Sequence, residues 1–113
     1  MDTAVWILDE NEVNRALAVE GLAKLGIPAT AFASPRALLS HARRIGPPRA
    51  AAIDACTAQG SERELRGAIP WRLTVLTTSP GEQVVRWMSL GVSRFLLKPF
   101  EFPLLIEHVS WAA

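Results

Sequence analysis

The sequence has little cysteine, little net charge and no long apolar run. A single thiol, Cys56, excludes an internal disulfide and leaves no second soft ligand for a thiolate metal site. Twelve basic side chains against eleven acidic ones give a net charge of +1. That removes the global signature of a nucleic-acid or membrane-surface binder. No apolar stretch approaches the ~18 residues a membrane span needs. The opening Met1-Asp2-Thr3 puts no basic segment ahead of an apolar one, so no secretory leader is expected. There is no internal repeat, low-complexity tract or linker. These absences fit a reducing compartment, with the cytoplasm as the expected location. What is present is a chain of 113 residues, half of them hydrophobic. That suffices for one domain with one sizeable core.

Short apolar runs alternate with longer, helix-periodic segments. Ala4–Leu8, Ala29–Phe32, Ala50–Ile53, Leu73–Thr77 and Phe95–Leu97 read as strands, too short for stable isolated helices. Glu12–Leu25 reads as a helix with Asn11 as N-cap, Gly26 just past its end, and Val13, Ala16, Leu17, Ala18, Leu22 and Leu25 on its inner face. Ser34-Pro35 opens a second helix, striped by Leu38, Leu39, Ala42 and Ile45 and stopped by Gly46-Pro47-Pro48. After a loop over 55–60, Ser61 to Glu64 fits a capping box for a short third helix to about Ala68. Ser79-Pro80-Gly81-Glu82 opens a fourth, running to Leu90 with Val84, Val85 and Met88 inward and Gly91 closing it. A fifth runs from about Pro103 to Trp111, with Leu105, Ile106 and Val109 inward. Strand-helix repeated five times gives an α/β, three-layer αβα sandwich: a (βα)5, doubly wound, parallel five-stranded sheet.

The run Arg49–Ile53 ends in Asp54, and ligands of such sheets bind outside the carboxyl ends of the strands. Asp9-Glu10, Thr77-Thr78 and Lys98-Pro99 follow three other strands. Right-handed crossovers put all these ends on one edge. Three acids, hydroxyls and one ammonium are therefore expected to share a single site around Asp54. The ordinary readings stand beside this. A strand-end aspartate caps a turn. An acidic pair feeds the N-terminus of a helix. A lysine snorkels to solvent. Cys56, His41, His108 and the four tryptophans read as packing or boundary residues.

Ile7-Leu8-Asp9-Glu10-Asn11-Glu12-Val13-Asn14-Arg15 and Leu90-Gly91-Val92-Ser93-Arg94-Phe95-Leu96-Leu97-Lys98-Pro99-Phe100, with Asp54 between them, resemble the receiver domain of two-component response regulators over the whole chain. The resemblance implies the flavodoxin-like (CheY-like) fold with strand order 2-1-3-4-5. It also implies a phosphoacceptor role in a phosphorelay, not enzyme activity beyond slow self-phosphorylation and dephosphorylation. Asp54 takes a phosphoryl group from a sensor histidine kinase or phosphotransfer protein. Mg²⁺ is held by Asp9, Glu10, Asp54 and the backbone carbonyl of Cys56. Thr78 and Lys98 bond phosphoryl oxygens, and Thr78 and Phe95 switch the face made by the fourth helix, fifth strand and fifth helix. That face, near Trp87 and Trp111, suits a homodimer; no direct nucleic-acid or membrane contact is implied.

The chemistry is consistent with these residue types. Phosphoryl transfer asks for an in-line nucleophile and neutralised oxygens. A hard divalent ion relieves repulsion among clustered carboxylates. The sequence departs from the pattern after Asp54. Ala55-Cys56-Thr57-Ala58-Gln59-Gly60-Ser61 replaces the usual Met-Pro-x-Met-Asp-Gly segment, and Glu10 stands where Asp is commoner. These departures motivate an alternative, a pseudo-receiver acting as a phosphorylation-independent interaction or dimerisation module. A flavin or nucleotide binder, with a phosphate at Thr77–Gly81, is a third expectation.

Overall fold

The computed structural model describes residues 2–79 and 81–112, apart from the side chains of 82, 83, 111 and 112. Five strands, β1 (Val5–Leu8), β2 (Ala29–Phe32), β3 (Ala50–Asp54), β4 (Thr74–Thr78) and β5 (Arg94–Leu97), form one parallel sheet in the order β2-β1-β3-β4-β5. The helices are α1 (Glu12–Ala23), α2 (Pro35–Ile45), α3 (Ala55–Ala58), α4 (Glu62–Ala68), α5 (Glu82–Ser89) and α6 (Phe102–Ala112), with a 3-10 turn at Trp71–Leu73. The architecture is the doubly wound sandwich expected. One helix was not expected: the loop after β3 is a helical turn, α3. The expected third, fourth and fifth helices are therefore α4, α5 and α6. Among the described residues no helix is long and apolar enough to cross a membrane.

Side-chain alternation along the strands divides the core in two. Trp6, Leu8, Ala51, Ile53 and Leu76 point to one face and pack with Leu38 of α2, Leu65 of α4, Trp71 and Trp87 of α5. Val5, Ile7, Ala50, Ala52, Val75 and Leu96 point to the other and pack with Ala18 and Leu22 of α1 and Leu105, Ile106 and Val109 of α6. The alanines of β3 leave room for helices on both faces. Helices α1 and α6 approach so closely at Gly21 that a Cβ there would lie 2.9 Å from Ile106 Cγ1.

Caps settle where some helices begin. Asn11 accepts from the Asn14 N–H at 3.0 Å, and Ser34 from the Ala37 N–H at 3.2 Å, each satisfying a donor that the first turn leaves unpaired. The other two expected starts differ. Ser61 makes no side-chain cap bond: its backbone (φ −119°, ψ 16°) lies outside the extended conformation that Asn11 and Ser34 adopt. Helix α5 has Gly81 as its N-cap, again without a side-chain bond, and Pro80 lies outside the described residues.

Three expected apolar stripes also need correction, the first on α2, where Leu38 is buried but Ile45 at the helix end is exposed. On α1, Val13, Ala16, Leu17 and Leu25 are exposed and the buried residues are Ala18 and Leu22, since α1 leans on α6 and β2 through that narrower face. On α5, Val85 and Met88 are exposed while Trp87 is fully buried, its ring edge-on to Trp71 at a centroid distance of 5.4 Å. The larger ring claims the interior and turns its neighbours outward. Trp87 is thus a core residue and not part of a surface; the Trp111 side chain lies outside the described residues. On α6, Leu105, Ile106 and Val109 face inward as expected.

Candidate functional site

Asp54 is the last residue of β3 and is 4% exposed. Its neighbour across the β3–β4 ladder is Thr77. Alternation carries the face of Ala50 and Ala52 on to Asp54, that of Val75 on to Thr77, and that of Leu96 on to Lys98. All three thus project from the α1/α6 face of the sheet at one edge. Lys98 lies just past β5, tied there by its N–H donating to the Thr78 carbonyl at 2.8 Å; the peptide it makes with Pro99 is cis.

The Lys98 ammonium donates to Asp54 Oδ1 at 2.6 Å, and the Thr77 hydroxyl donates to the same oxygen at 3.3 Å. Asp54 Oδ2 accepts twice from Thr57: from its hydroxyl at 2.7 Å and from its N–H at 3.1 Å. Asp54 is therefore the N-cap of α3. Burial by itself raises the Asp54 carboxyl, but the hydrogen bonds from Lys98 and Thr57 outweigh it and hold the group below the ordinary carboxylate range. Burial likewise pulls Lys98 down, and the hydrogen bond and charge of Asp54 reverse this, with Asp9 and Cys56 adding smaller pushes upward. The pair is a charged pair at neutral pH.

The residues expected beside this pair are placed differently. Thr78, one step on, points to the opposite side of the sheet and donates its hydroxyl to the Ser79 carbonyl at 3.1 Å. The hydroxyl on Asp54 is that of Thr77, and the strand register is the reason. Asp9 directs its oxygens to the start of α1: Oδ1 accepts from the Asn11 N–H at 2.9 Å and Oδ2 from the Asn14 side-chain amide at 3.2 Å. Glu10 is exposed, and its backbone N–H donates to the Thr57 hydroxyl at 3.0 Å. Arg15 Nη1 donates to the carbonyls of both Asp9 and Glu10, at 2.9 and 3.0 Å, and so fixes this loop from below. The Cys56 carbonyl accepts from the Gln59 N–H at 3.4 Å inside the α3 turn, and the Cys56 thiol is exposed. Phe95 is half-buried against the tryptophan side of the core and lines a cleft with Arg94, Glu107 and His108.

Does this arrangement fit the expected Mg²⁺? The oxygen chemistry suits a hard cation, but the donors are not gathered. Among the described residues no three carboxylate, histidine or cysteine side chains come close enough to hold a metal ion. Both Asp54 oxygens, both Asp9 oxygens and the Cys56 carbonyl already have protein partners. In this conformation the residues do not fit the ion.

Sequence reasoning missed Thr57, Thr77 as the bonding hydroxyl, and Arg15. Thr77 had a usable signal, since it shares parity with Asp54 once the strands are aligned. Thr57 sits three residues past a strand-end Asp, the spacing at which a capping aspartate meets an N–H. Arg15 carried none, since its bonds go to backbone atoms.

No protein-family model matches this sequence, and no curated protein does. Solved structures do match. A response regulator receiver protein from Sinorhizobium medicae superposes with a TM-score of 0.77 at 21% identity, covering 98% of this chain and 94% of that one. The chain has the receiver fold. A receiver protein from Pseudoalteromonas atlantica matches at 0.71 and 23%, over 96% of this chain and 95% of that one. A structure described as an adenylate cyclase from Rhodopirellula baltica matches at 0.80 and 15%, over 99% and 87%. The receiver fold is thus shared along nearly the full length, at identities that carry the architecture alone.

Proposed function

We propose that this protein is a phosphoacceptor receiver module, with Asp54 taking a phosphoryl group from a histidine kinase or phosphotransfer protein. The observation that carries the reading is the Lys98–Asp54 contact of 2.6 Å at the C-terminal edge of a receiver-type sheet. The depressed carboxyl is ionised at neutral pH, as a nucleophile must be. As an Asp54 oxygen bonds to phosphorus, the P–N bond to the donor imidazole breaks and the imidazole leaves. Lys98 follows the negative charge from the carboxylate to a phosphoryl oxygen, since an ammonium is a mobile point charge. Thr77, within reach of the same carboxylate, donates to another oxygen, the role expected of Thr78. Incubation with acetyl phosphate and Mg²⁺ should add about 80 Da to the chain. The adduct should map to Asp54 and vanish in Asp54→Asn. No adduct at saturating donor rejects the reading.

One observation favours the pseudo-receiver as a second reading: the Asp54 and Asp9 carboxylate oxygens and the Cys56 carbonyl, expected to bind the cation, are already bonded within the protein, and the Glu10 carboxylate is left exposed. In that case the receiver fold serves as a docking or dimerisation module. Exposed Val85 and Met88 on α5 and Leu97 at the end of β5 lie on the elements that would form the dimer face. A mass that doubles with concentration, unchanged by Asp54→Asn and by acetyl phosphate, favours this second reading; a phosphorylation-dependent mass favours the first.

A further inference from the structure

Thr57 is the residue at which the three expected cation-binding elements meet. Its hydroxyl and N–H take both free directions of Asp54 Oδ2. The same hydroxyl accepts from the Glu10 N–H, which joins the loop after β1 to the loop after β3. Its place in α3 keeps the Cys56 carbonyl turned to Gln59. A cation needs what Thr57 holds: an oxygen of Asp54, freedom for the Asp9-Glu10 loop to turn, and the Cys56 carbonyl. We propose that Thr57 is a positioning residue that closes the site against divalent cations, so that cation binding and an intact α3 turn exclude each other. The inference rests on the phosphoacceptor reading for its purpose, but its content concerns binding alone.

Exclusion of this kind is linkage between two occupants of one carboxylate oxygen. Whatever weakens the turn strengthens the cation by the same factor. Thr57→Ala deletes the hydroxyl, leaves the backbone N–H bond to Asp54, and frees the Glu10 loop. It should bind Mn²⁺, followed by titration calorimetry or electron paramagnetic resonance, about tenfold more tightly than the wild type, the size expected for one hydrogen bond to a charged group. Thr57→Ser keeps the hydroxyl and should bind as the wild type does. In the wild type itself, saturating Mg²⁺ should speed hydrogen exchange at the Thr57 and Gln59 amides, whose partners lie inside the turn. This arm stands whether or not the alanine variant folds.

Equal Mn²⁺ affinity in all three proteins, or a wild type that binds Mg²⁺ with those amides still protected, overturns the proposal. The phosphoacceptor reading fails separately. If the alanine variant gains affinity but acetyl phosphate leaves no adduct on Asp54 in any variant, the closure by Thr57 stands and phosphotransfer does not. If Asp54 is phosphorylated at the same rate in the wild type and Thr57→Ala, with unchanged affinity, phosphotransfer stands and the closure does not.

Discussion

The two halves of the sheet edge carry similar residues and behave differently. On the β3-β4-β5 side, Asp54, Thr77 and Lys98 converge on one carboxylate, with Asp54 4% exposed. On the β1 side, Asp9 and Glu10 stay apart from it. One bonds the cap residue Asn11 and the Asn14 side chain at the start of α1, and the other reaches solvent. The difference lies in what fixes each side chain. Asp54 and Thr77 sit on paired strands, where register and alternation set direction with little freedom. Asp9 and Glu10 lie one and two residues past a strand end, where the unpaired N–H groups of the next helix compete for any nearby carboxylate. Sheet geometry gathers charges across the chain; helix termini capture them locally.

The largest test of this contrast is Lys98→Met, which removes the cation from the converged half. Breaking a buried ion pair costs about 3–5 kcal/mol because the remaining charge is stranded. Here the Lys98 side chain is 37% exposed and Thr57 and Thr77 still donate to Asp54, so we expect a loss of about 2 kcal/mol at neutral pH, by urea unfolding. The loss should be pH-dependent. Asp54 has a lowered folded value, so its stabilisation is present above the ordinary 3.8 and fades as the pH falls through the folded value. Lys98 has a raised one, so its share is present below the ordinary 10.5 and fades as the pH rises through the folded value. The wild type and the variant should therefore differ most between these limits and converge in acid. A gap independent of pH would mean that Lys98 acts through packing and not through charge.

Next comes the pair Thr77→Val and Thr78→Val. Thr77 donates to a buried carboxylate, though at a long 3.3 Å, and its loss should cost about 1 kcal/mol. Thr78 donates to the carbonyl of an exposed residue that water can satisfy instead, and should cost about half as much or less. Equal losses would say that strand register does not distinguish the two hydroxyls. A larger loss at Thr78 would restore the assignment expected from sequence.

The same contrast explains what could be read before the structure. The strand-helix order and the parallel sheet were legible because short apolar runs between helix-periodic segments have few alternatives; the strand order followed only from the resemblance to receiver domains. The meeting of Asp54 with Lys98 was legible for the same reason, both being strand ends on one edge. Thr77 was mistaken for Thr78 because a one-residue shift in register reverses every side chain and leaves composition unchanged. The stripes of α1 and α5 were misjudged because periodicity marks an apolar arc without saying which part a neighbour covers; Ile106 and the Trp71 ring made that choice. The α3 turn was invisible because Ala-Cys-Thr-Ala is too short to show a period. Only the Asp54-to-Thr57 spacing hinted at it.

The smallest expected effect carries the clearest sign. If Asp9 belonged to a cluster of mutually repelling acids around Asp54, Asp9→Asn would relieve repulsion and stabilise the fold. In the geometry found here Asn11 caps α1 and Asp9 braces that cap, accepting from the Asn11 N–H and the Asn14 side-chain amide; the asparagine oxygen can still accept from the Asn11 N–H, and a turned Asn14 amide can accept from the new NH2. What is lost is a negative charge at a helix N-terminus and a small attraction to Lys98, both unfavourable to lose. We therefore expect Asp9→Asn to destabilise by about 0.5 kcal/mol in cation-free buffer. A gain in stability would place Asp9 electrostatically with Asp54. A loss as large as that of Lys98→Met would do so by coupling, and in either case the two halves of the edge would be one site.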